Sequence, residues 1–119
     1  RIVLKALRDN RIVCLLSDRD LTGDGLEVEF FGERTTLPAG PATLALRTGA
    51  ALLPVAVYFG RGRGHVGVVH APLLVEREGR LRDDIARITQ CLAVEFEELI
   101  RAAPEQWHLL QPNWPSDRE

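Results

Sequence analysis

The sequence predicts an α/β fold, a mostly parallel sheet flanked by helices, and three observations carry that expectation. Two runs are almost wholly apolar, RIVCLLS at 11–17 and AALLPVAVYF at 50–59, as strands buried on both faces of a parallel sheet are. Another run, LEVEFFG at 26–32, alternates its side chains with the strand period of two. The stretch 82–103 instead repeats Ile85, Ile88, Leu92, Phe96 and Leu99 at helical spacing. Strands separated by helices in this way argue for a sheet with helices packed on it.

From the N-terminus, IVLKALRDN reads as the tail of an amphipathic helix, with Ile2, Val3, Leu4 and Leu7 apolar and Asn10 as its stop. Residues 11–17 follow as the first strand. DRDLTGDG, 18–25, is a polar loop whose two glycines suggest mobility rather than a tight hairpin. In 26–32, Leu26, Val28 and Phe30 point one way and Glu27, Glu29 and Phe31 the other. ERTTLPAGPATLALRTG then turns into a helix, with Thr36, Pro38 and Pro41 as start signals and Gly49 as C-terminal cap. Residues 50–59 form the next strand, GRGRG a flexible reversal, and HVGVVHAPLLVE, 65–76, a strand broken near Ala71-Pro72. REGR leads into the helix at 82–103, where Asp83 and Asp84 suit the positive end of the helix dipole and Pro104 closes the element. The tail EQWHLLQPNWPSDRE carries both tryptophans and then turns polar.

Composition bounds the function. The 119 residues suffice for one domain, and 45% hydrophobic with 27% charged residues is an ordinary globular mixture. A net charge of −2 offers no global attraction for nucleic acid. No run reaches the roughly 18 apolar residues of a membrane-spanning helix, and the N-terminal stretch lacks the pattern of a signal peptide. Cys14 and Cys91 stand far apart in apolar surroundings, which reads as two reduced thiols packed as small hydrophobes, with a disulfide as the alternative. The chain starts at Arg1 within a helix-like run and contains no methionine, as expected of a piece of a longer protein.

Glu27 and Glu29 are the first candidates for chemistry. Residues two apart on a strand share a face, about 7 Å from each other. A carboxylate at the carboxyl end of a parallel strand lies where α/β folds place ligands, whereas the same pair on an edge strand serves to discourage aggregation. The triplet Asp18-Arg19-Asp20 also follows an apolar strand; it either orients polar groups at a site or forms a solvated loop of weak ion pairs. In TTLPAGPA, small residues at a helix start leave backbone N–H groups free for an anion or oxyanion, but no Walker loop follows. GRGRGH, 60–65, reads as an exposed turn, with capture of a phosphate by its two arginines as the alternative. His65, His70 and His108 have no aspartate five residues on, and there is no Gly-x-Ser-x-Gly elbow, Cys/His metal set or dinucleotide fingerprint. A complete active site is not visible.

Three stretches taken together, LKALRDNRIVCLLSDRD, VEFFGERTTLPAGPATLALRTGAALLPV and PEQWHLLQPNWP, resemble the C-terminal half of the bacterial lysophospholipid-acyltransferase superfamily. The likeness is to its lauroyl/myristoyl, lipid A biosynthesis-type branch, and the LPAGPATLALRTGA and WHLLQPNWP wording looks most like the actinobacterial phosphatidylinositol mannoside acyltransferases. The resemblance implies that 1–119 is the C-terminal part of a single acyltransferase domain with a glycerol-3-phosphate-acyltransferase-like fold. It implies transfer of a fatty acyl group from acyl-CoA, or acyl carrier protein in some branches, to a glycolipid hydroxyl at the cytoplasmic membrane face. The acceptor it points to is a phosphatidylinositol mannoside.

The family's histidine base sits in a His-x-x-x-x-Asp box that this chain lacks, so the isolated chain is expected to be inactive. By resemblance, Glu29 supports that histidine, and Phe30, Phe31 and Gly32 shape the site wall. Asp18 and Arg19 match a polar position near the active site. Pro38 and Gly40, at the Gly-Pro-Ala helix start, are assigned with them to substrate binding, while Glu27 is a bystander. No metal or prosthetic group is implied, acyl-CoA being a substrate. The alternatives are a non-catalytic lipid- or partner-binding module of the same fold and a lipid A-type acyltransferase. Missing sheet neighbours would expose apolar surface and a strand edge, so the chain is expected to self-associate.

Overall fold

The computed structural model describes residues 2–118 as a small α/β arrangement of three helices and two antiparallel hairpins. Helix α1 (Ile2–Arg8) ends as its sequence suggests. Asn10 takes the left-handed conformation, φ 58°, while its N–H bonds Leu7 O and the Arg11 N–H reaches Ala6 O, a Schellman closure of the last turn. Helix α2 (Gly40–Thr48) has Pro41 in its first turn and stops at Gly49, φ 71°, whose N–H returns to Ala45 O. Helix α3 (Leu81–Arg101) is the long amphipathic element read from the sequence, burying Ile88, Leu92 and Leu99.

The strands depart from expectation. Strand β1 (Leu26–Phe30) pairs antiparallel with β2 (Glu33–Leu37), from Leu26↔Leu37 to Phe30↔Glu33. The ERTTL stretch read as the approach to a helix is therefore a strand, and Thr36 and Pro38 are not helix starts. Strand β3 (Val55–Phe59) pairs antiparallel with β4 (His65–Val69) across the glycine-rich reversal. No parallel sheet forms among the described residues. The physical reason is connection length: two strands joined by two to five residues can only double back, because a parallel crossover needs a dozen or more.

The apolar run 11–17 joins no ladder among the described residues, with Ile12 93% and Leu16 96% exposed. Its expected burial on both faces required strand neighbours that these residues do not supply. The strand expected over 50–59 begins only at Val55, and that over 65–76 ends at Val69, although His70 N–H to Pro54 O and Leu73 N–H to Leu52 O prolong the pairing loosely. Both cysteines are free, but they are exposed rather than packed.

The core lies between the β1–β2 hairpin and α3. Val28, Phe30, Leu37 and Ala93 are buried there, with Phe31, Phe96, Ile100, Trp107 and Trp114 packed around them. Burying one large side chain such as Phe30 stabilises by about 1.5–3 kcal/mol. This packing places the outer face of β1, with its glutamates, toward solvent.

Candidate functional site

Glu29 lies one residue before the end of β1, on the face opposite the buried Val28 and Phe30. The alternation read from the sequence holds for Glu27 and Glu29, both exposed. It fails at Phe31. A two-residue turn, Phe31-Gly32, closes the hairpin with φ of 54° and 79°, the geometry whose twist matches paired strands. Left-handed backbone costs a non-glycine residue about 1–2 kcal/mol, so a phenylalanine there must be held by its surroundings. The Phe31 N–H donates to Glu97 Oε1 at 2.8 Å, and the Arg101 guanidinium stands 5.0 Å from the ring centroid. Rather than continuing the Glu27–Glu29 face, Phe31 turns half-buried into an aromatic cluster.

That cluster is Phe30, Phe31, Trp107 and Trp114, with ring centroids 4.7–6.2 Å apart. The polar edges of the indoles both find partners, as buried tryptophan requires. Trp114 Nε1–H donates to Phe30 O at 2.9 Å and Trp107 Nε1–H to Asp18 Oδ2 at 2.7 Å. The C-terminal tail thus straps the hairpin tip and ties Asp18 to it. Thr35 Oγ1 adds a bond to Asn113 O, and Ser116 binds both Glu33 oxygens.

The Glu29 backbone is clamped by α3. Its N–H donates to Gln90 Oε1 at 2.8 Å, and Gln90 Nε2 donates back to Glu29 O at 2.9 Å. Its carboxylate has no hydrogen-bond or ion-pair partner among the described residues. Arg34 sits directly across the ladder from Glu29, yet its guanidinium pairs diagonally with Glu27 at 3.3 Å. Glu27 therefore engages Arg34 and leaves Glu29 open.

Asp20, the third residue of the acidic triplet, organises the loop rather than a site. Its carboxylate accepts from the N–H groups of Thr22, Gly23 and Gly25 and from Thr36 Oγ1. Burial alone would raise its pKa. The bonds from Thr36, Gly25, Gly23 and Thr22 outweigh that and hold it at about 2. A Cβ on Gly25 would lie 2.5 Å from Leu37 O and 2.7 Å from Asp20 Oδ2, so only glycine fits. The loop read as mobile is pinned.

The candidates fall into two groups. Glu29, Phe30, Phe31 and Gly32 share the hairpin tip, and Asp18 joins them through Trp107. Pro38 and Gly40 lie beyond Leu37, at the hairpin base, roughly 10 Å of strand away from Glu29 by the rise per residue. Ala39 between them lines an open apolar depression with Leu26, Leu81, Arg82 and Ile85. Arg19 is half-buried beside Asp18 and bonds none of the tip residues.

None of the three histidines hydrogen-bonds Glu29. His70 Nδ1 meets Glu95 Oε2 at 2.5 Å, with Glu98 exposed nearby; this contact fastens β4's end to α3. The His65 ring lies tilted against Phe59, centroids 5.7 Å apart, and His108 is exposed. Sequence reading missed Gln90, Glu97 and Trp107 as the partners of the tip. Only the helical periodicity of 82–103 hinted at the first two, since Gln90, Glu97 and Arg101 recur on one helix face.

A family model described as "Bacterial lipid A biosynthesis acyltransferase" matches residues 1–116. The chain is 50% identical over 116 residues to a phosphatidylinositol mannoside acyltransferase of Mycobacterium tuberculosis (strain CDC 1551 / Oshkosh), covering 98% of this chain and 35% of that protein. It is 47% identical over 116 residues to the protein of the same name from Mycolicibacterium smegmatis, covering 98% of this chain and 36% of the relative. The chain thus spans about a third of the length of the relatives it matches, their C-terminal portion.

Proposed function

The chain belongs to the bacterial lipid A biosynthesis acyltransferase family, and from that premise we propose that the full-length protein moves a fatty acyl group from acyl-CoA to a hydroxyl of a phosphatidylinositol mannoside. The observation that carries this reading is the identity of about half over almost the entire chain to proteins of that name. The same names favour a mannoside acceptor over lipid A.

In the reaction, a histidine from outside these residues takes the proton of the acceptor hydroxyl. The freed oxygen attacks the thioester carbonyl, the carbon–sulfur bond breaks, and the thiol leaves with a proton. Glu29 hydrogen-bonds the imidazole and favours the imidazolium that forms as the proton moves. The unpartnered Glu29 carboxylate at a rigid hairpin tip supports that role. Phe31 and Gly32 form the wall beside it at the turn, Phe30 backs that turn from the core on the opposite face of β1, and Asp18 and Arg19 flank the tip. Pro38 and Gly40 bind substrate at the hairpin base, where the adjoining apolar depression suits a lipid chain.

Acyl-CoA acts as a substrate, and the reaction calls for no resident metal or prosthetic group. No helix among the described residues is long and apolar enough to cross a membrane, and we place the work at the cytoplasmic membrane face with peripheral contact. The isolated chain is inactive on this reading, because Glu29 has no histidine to support.

The test is acyl transfer from palmitoyl-CoA to a phosphatidylinositol mannoside by the full-length protein and its Glu29→Gln variant. Turnover falls by about 10²- to 10⁴-fold in the variant, with an unchanged unfolding midpoint. Near-normal turnover would return Glu29 to a solvated edge position, and no turnover by the parent protein would remove the mannoside as acceptor.

A further inference from the structure

Gln90 does something at β1 that solvent alone would not. The outward-facing backbone groups of β1 near its tip are the N–H and C=O of Glu29 and the N–H of Phe31. Helix α3 takes all three: Gln90 both from Glu29, at 2.8 and 2.9 Å, and Glu97 the third, at 2.8 Å. Glu97 is itself steadied by Arg101 Nη2 at 2.8 Å, and that guanidinium covers the Phe31 ring. One face of a helix thus stands in for the neighbouring strand.

The Glu29 pair is exposed, so water would satisfy it without a desolvation penalty. A flexible glutamine nevertheless gives up its rotamer freedom there. What the carboxamide adds is position. Its two bonds flank the Glu29 Cα and fix the direction of the Cα–Cβ bond. Meanwhile Arg34 is drawn to Glu27, so the carboxylate is aimed but unengaged.

We propose that Gln90 is a positioning residue for Glu29, its carboxamide clamping the Glu29 peptide groups so that the carboxylate meets the base histidine in register, with Glu97 holding the adjoining turn. This rests on the reading of Glu29 given above. It makes Gln90 a contributor to turnover rather than to substrate affinity, because misplacement of a supporting carboxylate acts on the proton transfer and leaves ground-state binding alone.

The experiment is steady-state kinetics of the full-length protein carrying Gln90→Ala, Gln90→Glu, Glu29→Gln, or Glu29→Gln with Gln90→Ala, beside thermal unfolding of each. Gln90→Ala lowers kcat by about 10- to 100-fold with KM unchanged. In Gln90→Glu, the ionised carboxylate sets an oxygen against Glu29 O, whereas the protonated form donates to it as the amide did. The kcat of that variant relative to the parent protein therefore rises as pH falls, which a packing role would not produce. The double variant is no slower than Glu29→Gln alone.

Parental kcat in Gln90→Ala together with an inactive Glu29→Gln overturns this inference and leaves the Glu29 reading intact. Loss that tracks only the unfolding midpoint, with a pH-independent Gln90→Glu ratio, also overturns it. An active Glu29→Gln removes both.

Discussion

One carboxylate, Asp20, organises the loop that leads into β1. It gathers three loop N–H groups and the hydroxyls of Thr22 and Thr36, and the N–H bonds together with that of Thr36 hold its pKa at about 2 against an ordinary 3.8, despite the opposing effect of burial. A carboxyl group whose pKa is lower folded than unfolded stabilises the fold above the unfolded value. That contribution is lost as pH falls from about 3.8 through about 2. Asp20→Asn is expected to destabilise the protein by about 1–3 kcal/mol at neutral pH. In urea unfolding followed against pH, the gap to the parent protein narrows toward pH 2; a gap of constant size would show that the charge of Asp20 is immaterial. Asp20 and Gly25 also show why the loop's sequence misled. Two glycines read as freedom, yet Gly25 is there because the Leu37 carbonyl and the Asp20 carboxylate leave no room for a Cβ.

At the scale of elements, the tail and the hairpin tip form one unit. Trp114 closes on Phe30 and donates to its carbonyl, while Asp117 accepts from the N–H groups of Asn113 and Trp114 and so sets the tail's last turn. Those two backbone bonds, Trp114's before Asn113's, keep the Asp117 carboxyl below its ordinary value. Trp114→Phe keeps most of the aromatic area but removes the indole N–H, and is expected to cost about 1 kcal/mol in the unfolding free energy. Amide exchange at Phe31 and Gly32 should quicken with it. Protection left unchanged at both amides would separate the tail from the turn. The N-terminal turn of α3 is built by the same kind of contact. Buried Asp84 accepts from Arg77 and from the N–H groups of Glu78 and Gly79, so the REGR turn is fastened to the helix it precedes.

At the scale of the molecule, the unsatisfied feature is an apolar face. Val55, Val57 and Phe59 alternate on β3, and the register puts Val69 on the same side of the hairpin; all four are between 49% and 66% exposed. Ile12 and Leu16 of the run 11–17 are almost fully exposed as well. An exposed apolar face such as that of the β3–β4 hairpin marks an interaction face. Since the chain spans about a third of its relatives, we infer that two copies of the isolated chain cover these faces by association with each other. Light scattering should give a mass that rises with concentration, and Val57→Asp should suppress the rise. A monodisperse monomer at high concentration would count against it.

The helices were legible in the chain because each is defined by its own residues. Asn10 and Gly49 supply left-handed stops, Pro41 the start of α2, and the apolar spacing of 82–103 the buried stripe of α3. The alternation of 26–30 likewise settled which side chains of β1 meet the core, since that depends only on the pleat. Sheet direction was missed because ERTTL carries no apolar alternation to declare itself a strand; once it is one, the two-residue connection to β1 leaves only an antiparallel pairing. The surroundings of Glu29 were not legible either. Gln90 lies 61 residues away and Trp114 is 84 from Phe30, and such distant pairings leave no periodic trace in the sequence. Local sequence determined the helices, their caps, the outward direction of Glu29 and, through the short connections, the antiparallel hairpins; tertiary packing alone decided the anchoring of Phe31 and the clamp on Glu29, because each is set by a partner remote in the chain.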